Sequence, residues 1–221
     1  MLGEPVRIRP HRAADLDDLY RICVLTADNG GDGTALFRDS RLPGSVYAAP
    51  YAVFEPSLAI VAQDAAGVGG YVVAALDSRD FERRLERDWW PALRARYPEP
   101  PPELAERLSL QERRAIGNIY HPFGADAGVV ARYPSHLHIN LLPRLQGRGV
   151  GRRLIAELTA RLREQGSPGV HLLVGRANQR AAGFYSHVGF KELPSTDAHV
   201  FAMTFTSDGA AGHGRAGLAG G

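Results

Sequence analysis

The stretch Leu141-Leu142-Pro143-Arg144-Leu145-Gln146-Gly147-Arg148-Gly149-Val150-Gly151 constrains this chain more than any other. It runs from an apolar segment through three closely spaced glycines into a helix whose Leu154, Ile155, Leu158 and Leu162 share one face. A glycine-rich turn between strand and helix gathers main-chain N–H groups at the positive end of the helix dipole, which suits an anion. Gly147, Gly149 and Gly151 carry no Cβ, so a phosphate can approach the backbone closely, and Arg148 and Arg152 add charge. A plain strand–helix turn, with glycines for geometry alone, is the competing reading. Two familiar phosphate loops do not fit. The Gly-Lys-Ser/Thr ending is absent, and the turn follows the fourth expected strand rather than the first.

Composition narrows the field. A chain of 221 residues, 44% hydrophobic and 23% charged, can bury a sizeable core. Its one cysteine, Cys23, excludes an intrachain disulfide framework and any cysteine-based zinc cluster. No apolar run approaches the ~20 residues of a membrane helix. The opening MLGEPVRIRP lacks the apolar core of a secretory signal, so a cytoplasmic protein with no membrane partner is expected. All 26 basic residues but Lys191 are arginine, and they are scattered among 24 acids. Nucleic acid is captured by clustered basic faces, so no nucleic-acid partner is expected.

Periodicity supplies the organisation. Val6 to Arg9 alternates as a strand, and Leu16, Leu19, Tyr20, Cys23 and Val24 recur at helical spacing between about 13 and 26. Asp28 to Thr34 is a loop, and the type of 46–54 stays open. Leu58 to Ala62 and Tyr71 to Ala75 flank a hairpin turn. Phe81, Leu85, Trp89, Leu93 and Tyr97 step by four and predict one helix over that sheet. Residues 98–135 read as an irregular, lid-like insertion between strands 3 and 4, with a short helix over 104–116. Strands over 136–142 and 170–174, helices over 149–165 and 178–188, and two closing strands over 190–193 and 199–205 follow. The Gly/Ala-rich 207–221 reads as a disordered tail on a single domain spanning 1–206.

Two groups of polar residues invite chemistry. His136, His138 and Asn140 alternate on one face of their strand, with Leu137, Ile139 and Leu141 on the other. A polar face on a central strand must meet water, a ligand or partners, so it is a candidate pocket wall with His138 as a base near neutral pH. Asp28 and Asp32, in the loop after the first helix, are rival bases. Metal fits neither group. Asp28 to Asp39 imitates a calcium loop but has Gly30 and Leu36 at ligand positions, and His136 and His138 lack a third zinc ligand.

Gln146-x-x-Gly149-x-Gly151, entered from an apolar strand ending at Pro143, resembles the acetyl-CoA signature of the GCN5-related N-acetyltransferases (GNATs). The second signature, Asn178 to Phe190 with its Phe184-Tyr185 pair, follows at the expected distance, and the likeness covers residues 5 to 205. The segments Arg7 to Pro10, Asp28 to Phe37, Gly69 to Asp77 and Glu164 to Ser167 are further similar to the acetyltransferase-like C-terminal domain of animal O-GlcNAcases, here as a bacterial stand-alone version. The mammalian domain has a degraded glycine loop, whereas this one is complete.

The resemblance implies an α/β (α+β) GNAT fold: a mixed, mostly antiparallel sheet of about seven strands flanked by helices. It implies acetyl-CoA as acetyl donor, with pantetheine along Leu141 and Leu142 and an amide at Ile139 or Leu141 facing the thioester carbonyl. The pyrophosphate would lie on Gln146, Gly147, Arg148, Gly149, Val150, Gly151 and Arg152. Asn178 is either a helix cap or a pantetheine contact. Tyr185 is either the acid that protonates the departing thiolate or a core residue in line with Ala181, Phe184 and Val188. The expected activity is direct transfer of acetyl to a primary amine, on a small molecule, by a monomer or homodimer. The alternatives are a coenzyme-binding module without turnover and a protein (histone-type) acetyltransferase.

Overall fold

The computed structural model describes residues 5–122 and 124–205. In chain order the elements are β1 (Arg7–Pro10), α1 (Leu16–Val24), α2 (Leu42–Tyr47), α3 (Ala49–Phe54), β2 (Ala59–Asp64) and β3 (Gly67–Ala75). Next come α4 (Ser78–Asp88), α5 (Trp90–Arg96), α6 (Pro102–Ala105), α7 (Leu110–Tyr120) and α8 (Ala127–Arg132). The chain continues with β4 (Ser135–Leu141), α9 (Val150–Glu164), β5 (Gly169–Val174), α10 (Gln179–His187), β6 (Lys191–Leu193) and β7 (His199–Thr204). The strands form one seven-stranded sheet in the order β1-β2-β3-β4-β5-β7-β6. Only β4 and β5 run parallel among these neighbours. This is the mixed, mostly antiparallel α+β sheet that the motifs imply.

The period of two along each strand divides the core into two layers. Ala59, Val61, Tyr71, Val73 and Ala75 face α1 to α5 and α7, joined by Leu19, Ile22, Phe81, Trp90 and Ile119. Ile60, Ala62, Val72, Ala74 and Leu137 face the opposite way, onto Val150, Leu154, Ile155, Leu158 and Leu162 of α9.

The helix expected over 104–116 is instead a single turn at Pro102–Ala105 followed by a separate helix, Leu110–Tyr120, whose start is capped by Ser109. The ridge over 81–97 is two helices, because Pro91 lacks the N–H that would bond Arg87 and its ring would crowd that carbonyl; the chain breaks at Trp89 (φ −124°, ψ −54°). The undecided 46–54 segment is likewise helical and broken at Ala48, with Pro50 in the first turn of α3.

The insertion between β3 and β4 does not hang free. Ala115, Ile116 and Ile119 of α7 join the first core layer. Its start is tied to the 28–38 loop: Ser109 donates to Leu36 O (2.5 Å), and Arg38 pairs with the buried Glu112 (2.9 Å). The tail at 207–221 and Phe123 lie outside the described residues.

Candidate active site

β4 and β5 part company. Their register holds only at Ser135↔Val170 and His136↔His171, and the two strands then diverge. Leu142 donates its N–H to Gly69 O (2.8 Å), which fixes the parity of β4 against β3. In an antiparallel pair every second residue turns both its N–H and C=O to the neighbour. Asn140 and His138 therefore bond β3, while Leu137, Ile139 and Leu141 turn theirs into the gap. Leu142, expected beside Leu141, faces β3 instead.

A cavity of about 840 Å³ fills the gap, lined by 137–141 of β4, 145–147 and 149–153 of the loop and helix start, Leu173 to Gly175, and Asn178, Ala181, Phe184 and Tyr185; Arg148, expected among them, turns back towards Arg144 O instead. Thr26, Ala27, Asn29 and Gly30 close its far rim. No carboxylate is among these residues, whereas Arg152, Arg153 and Arg180 are.

The glycine loop has the geometry of an anion cradle. Gly147 and Gly149 have φ of +69° and +71°, a region that side chains disfavour, and a Cβ at either would meet open space. Gly149 is the N-cap of α9. The next N–H groups, from Val150 to Arg152, have no acceptor within the helix, and no main-chain carbonyl elsewhere among the described residues takes them. Gly151 has a different reason: a Cβ there would come within 3.0 Å of the Phe184 ring. The side chain of Gln146 is engaged with protein at both ends, donating to Leu141 O (2.7 Å) and accepting from Arg180 (2.5 Å). It thus braces the end of β4 against α10. Donor set and open space together fit a pyrophosphate.

Asn178 caps α10 through its side-chain oxygen (3.0 Å from the Ala181 N–H) and also lines the cavity. Tyr185 has its ring in the core and its edge at the cavity. Its ring packs on Phe190 and Phe201 at 5.7 Å each, and burial pushes the phenol up from its ordinary value. Yet it lines the cavity, and its hydroxyl has no protein partner among the described residues and is not sealed from solvent.

On the other face of β4 the polar residues meet side chains from far away. Tyr51 of α3 places its hydroxyl 2.8 Å from His136 Nε2 and 3.1 Å from His138 Nε2. Asn140 donates to Thr26 Oγ1 (2.5 Å), which itself donates to Ile22 O (2.8 Å). Tyr47, bonded by Asn118, stands 5.8 Å from the His138 ring. Burial lowers all three neighbouring imidazoles, His138 to about 4. Sequence reasoning missed Tyr51, Tyr47 and Thr26. Nothing local marks them, since each is only an ordinary residue on a short helix or at a helix end.

The aspartates are not brought to the cavity. Asp32 accepts from the N–H and hydroxyl of Thr34 (2.8 and 2.6 Å), which hold its carboxyl below the usual range on an exposed turn. Asp28 faces Gln111 (3.4 Å). Cys23 is buried in the first core layer, its thiol pushed up to about 12 by burial. Among the described residues no three His, Cys, Asp or Glu side chains gather as a metal site, and no helix is long and apolar enough to cross a membrane.

The family described as FR47-like protein matches residues 125–200. The solved structure of SsHAT is 35% identical and superimposes with a TM-score of 0.82, covering 90% of this chain and 98% of that one. The Salmonella typhimurium protein yncA, solved with its cofactor acetyl-CoA, shares the fold at 15% identity (TM-score 0.54; 93% and 96% covered). Among curated proteins, O-GlcNAcase of Rattus norvegicus is 24% identical over 192 residues, which is 84% of this chain. The chain spans about a fifth of that relative's length. A seven-stranded mixed sheet splayed over a glycine-lined cavity defines an acyl-CoA N-acyltransferase of GNAT type. The chain belongs to the GCN5-related N-acetyltransferase family.

Proposed function

We propose that this protein transfers the acetyl group of acetyl-CoA to the primary amine of a small molecule by direct attack within a ternary complex. The observation that carries this reading is the splay of β4 from β5 with the glycine loop at its mouth. Pantetheine would run along the inward-facing amides of Ile139 and Leu141, and the pyrophosphate would rest on the N–H groups at 147–152. An inward N–H on β4 would polarise the thioester carbonyl; one such donor is worth ~10²–10³ in rate elsewhere.

In the reaction the amine lone pair bonds to the carbonyl carbon, whose oxygen becomes an anion held by that N–H. Collapse of this intermediate breaks the C–S bond and releases a thiolate. Tyr185 supplies the thiolate's proton, and its free hydroxyl at the cavity wall supports that role. His138 takes the proton leaving the amine. Its lowered pKa keeps the imidazole neutral and ready, and the amine becomes acidic enough to yield its proton only as it bonds to carbon. Asp32 has no part in this scheme.

Titration calorimetry with acetyl-CoA, followed by mass analysis of an amine panel after incubation, tests the reading. Binding with acetylated product is expected. Absence of binding heat would overturn it, and binding without any product would leave a coenzyme-holding module instead.

A further inference from the structure

A chain of hydrogen bonds runs from the main chain before β4 to the wall of the cavity, and its direction is determined. Ser78, at the start of α4, places Oγ 2.6 Å from Pro134 O and 2.7 Å from His136 Nδ1. A carbonyl oxygen has no proton to offer, so the single hydroxyl proton of Ser78 goes to Pro134 O. Ser78 Oγ must then accept from His136, and Nδ1 of that ring carries its proton. A neutral His136 is therefore bare at Nε2. Tyr51 has one proton and two imidazole neighbours, so it donates to His136 Nε2 (2.8 Å) and accepts from His138 Nε2 (3.1 Å). That leaves Nδ1 of His138 as the unprotonated nitrogen. No described residue bonds it, it is not sealed from solvent, and His138 lines the cavity.

We propose that Ser78, His136 and Tyr51 form a tautomer lock, which keeps the proton of His138 on Nε2 and presents the Nδ1 lone pair to the acceptor amine. The three are positioning residues, and the inference rests on the reading of His138 as proton acceptor. The lock is rigid by packing. The Tyr51 ring stacks on Phe81 at 4.4 Å and stands edge-on to both imidazoles, at 5.4 and 5.2 Å. Tyr51 and Ser78 are 5% and 2% exposed, so no water competes for their hydroxyls. Orientation matters because a histidine held in the wrong tautomer can cost ~10⁴ in turnover elsewhere.

Long-range ¹H–¹⁵N correlation on the ¹⁵N-labelled full chain, without substrate, reads the tautomers directly. The expected spectrum has His138 bare at Nδ1 and protonated at Nε2, and His136 the reverse. Tyr51→Phe should let His138 populate both forms and lower kcat ~10-fold, with the dissociation constant for acetyl-CoA unchanged. Ser78→Ala, which removes the far end without touching His138, should move the spectrum in the same direction by less. A wild-type His138 protonated at Nδ1 overturns the lock even if neither variant folds, and so does a Tyr51→Phe spectrum identical to wild type. An inactive protein that shows the expected tautomers upholds the lock and removes the base role from His138.

Discussion

On the gap side of β4 the cavity wall is mostly main chain: inward amides of Ile139 and Leu141, then a loop bent by Gly147 and Gly149. On the opposite face the wall is side chain: His136, His138 and Asn140, held by Tyr51, Ser78 and Thr26 across separations of 58 to 114 residues. In the proposed reaction the first side takes a ligand common to many enzymes, for which backbone geometry suffices, and the second takes the acceptor, for which only side chains vary enough.

If this division is real, substitutions on the two sides should fail differently. The largest effect is expected from Tyr185→Phe, with kcat falling ~10²–10⁴-fold while calorimetry gives unchanged acetyl-CoA affinity. A parallel loss of affinity would show that the hydroxyl holds the ligand rather than completing the chemistry.

The buried imidazoles should next reveal themselves through acid. His138 has its folded pKa lowered from 6.5 to about 4, so the unfolded chain binds a proton there that the folded one refuses. Stability from this group is complete above pH 6.5 and is lost as pH falls towards 4. The loss approaches ~3 kcal/mol, measurable by urea denaturation at stepped pH. His138→Gln should flatten the slope, and an unflattened slope would assign the acid sensitivity elsewhere.

Gly149→Val forces a branched side chain into φ +71°. A cost of about 1–2 kcal/mol, which the free loop sheds by leaving this conformation and the bound loop must bear, should weaken acetyl-CoA binding by roughly 5–30-fold with little change in saturated kcat, the reverse of the Tyr185 pattern. Asp32→Asn marks the floor. Its carboxylate is occupied by Thr34 outside the cavity, so kcat/KM at saturating acetyl-CoA should not move.

The same division governs what could be read from the residues. Gly147, Gly149 and Gly151 lie within five positions because one turn builds the whole cradle, so the cradle is legible as a motif. The strands were legible too, since burial on both faces of the sheet writes 59–64 and 67–75 as nearly unbroken apolar runs on either side of a turn. Tyr51 left no trace. It lies on a one-and-a-half-turn helix with no periodicity of its own, and its partner His136 is 85 residues away. Leu142 failed for a subtler reason. Which residues of a strand turn their amides to a given neighbour depends on register, and register is set here by the Gly69 contact. The break at Trp89 was available in Pro91 and was outweighed by the four-residue ridge around it.

Cys23 has a practical bearing on how any of this is measured. Buried on the inner face of α1 and held as a thiol, it offers no nucleophile to an aromatic disulfide reagent such as Ellman's. With no other cysteine in the chain, the native protein should be silent in such an assay. Colour developing in real time would then count free coenzyme sulfhydryls one by one, and a late rise in the absence of donor would signal unfolding.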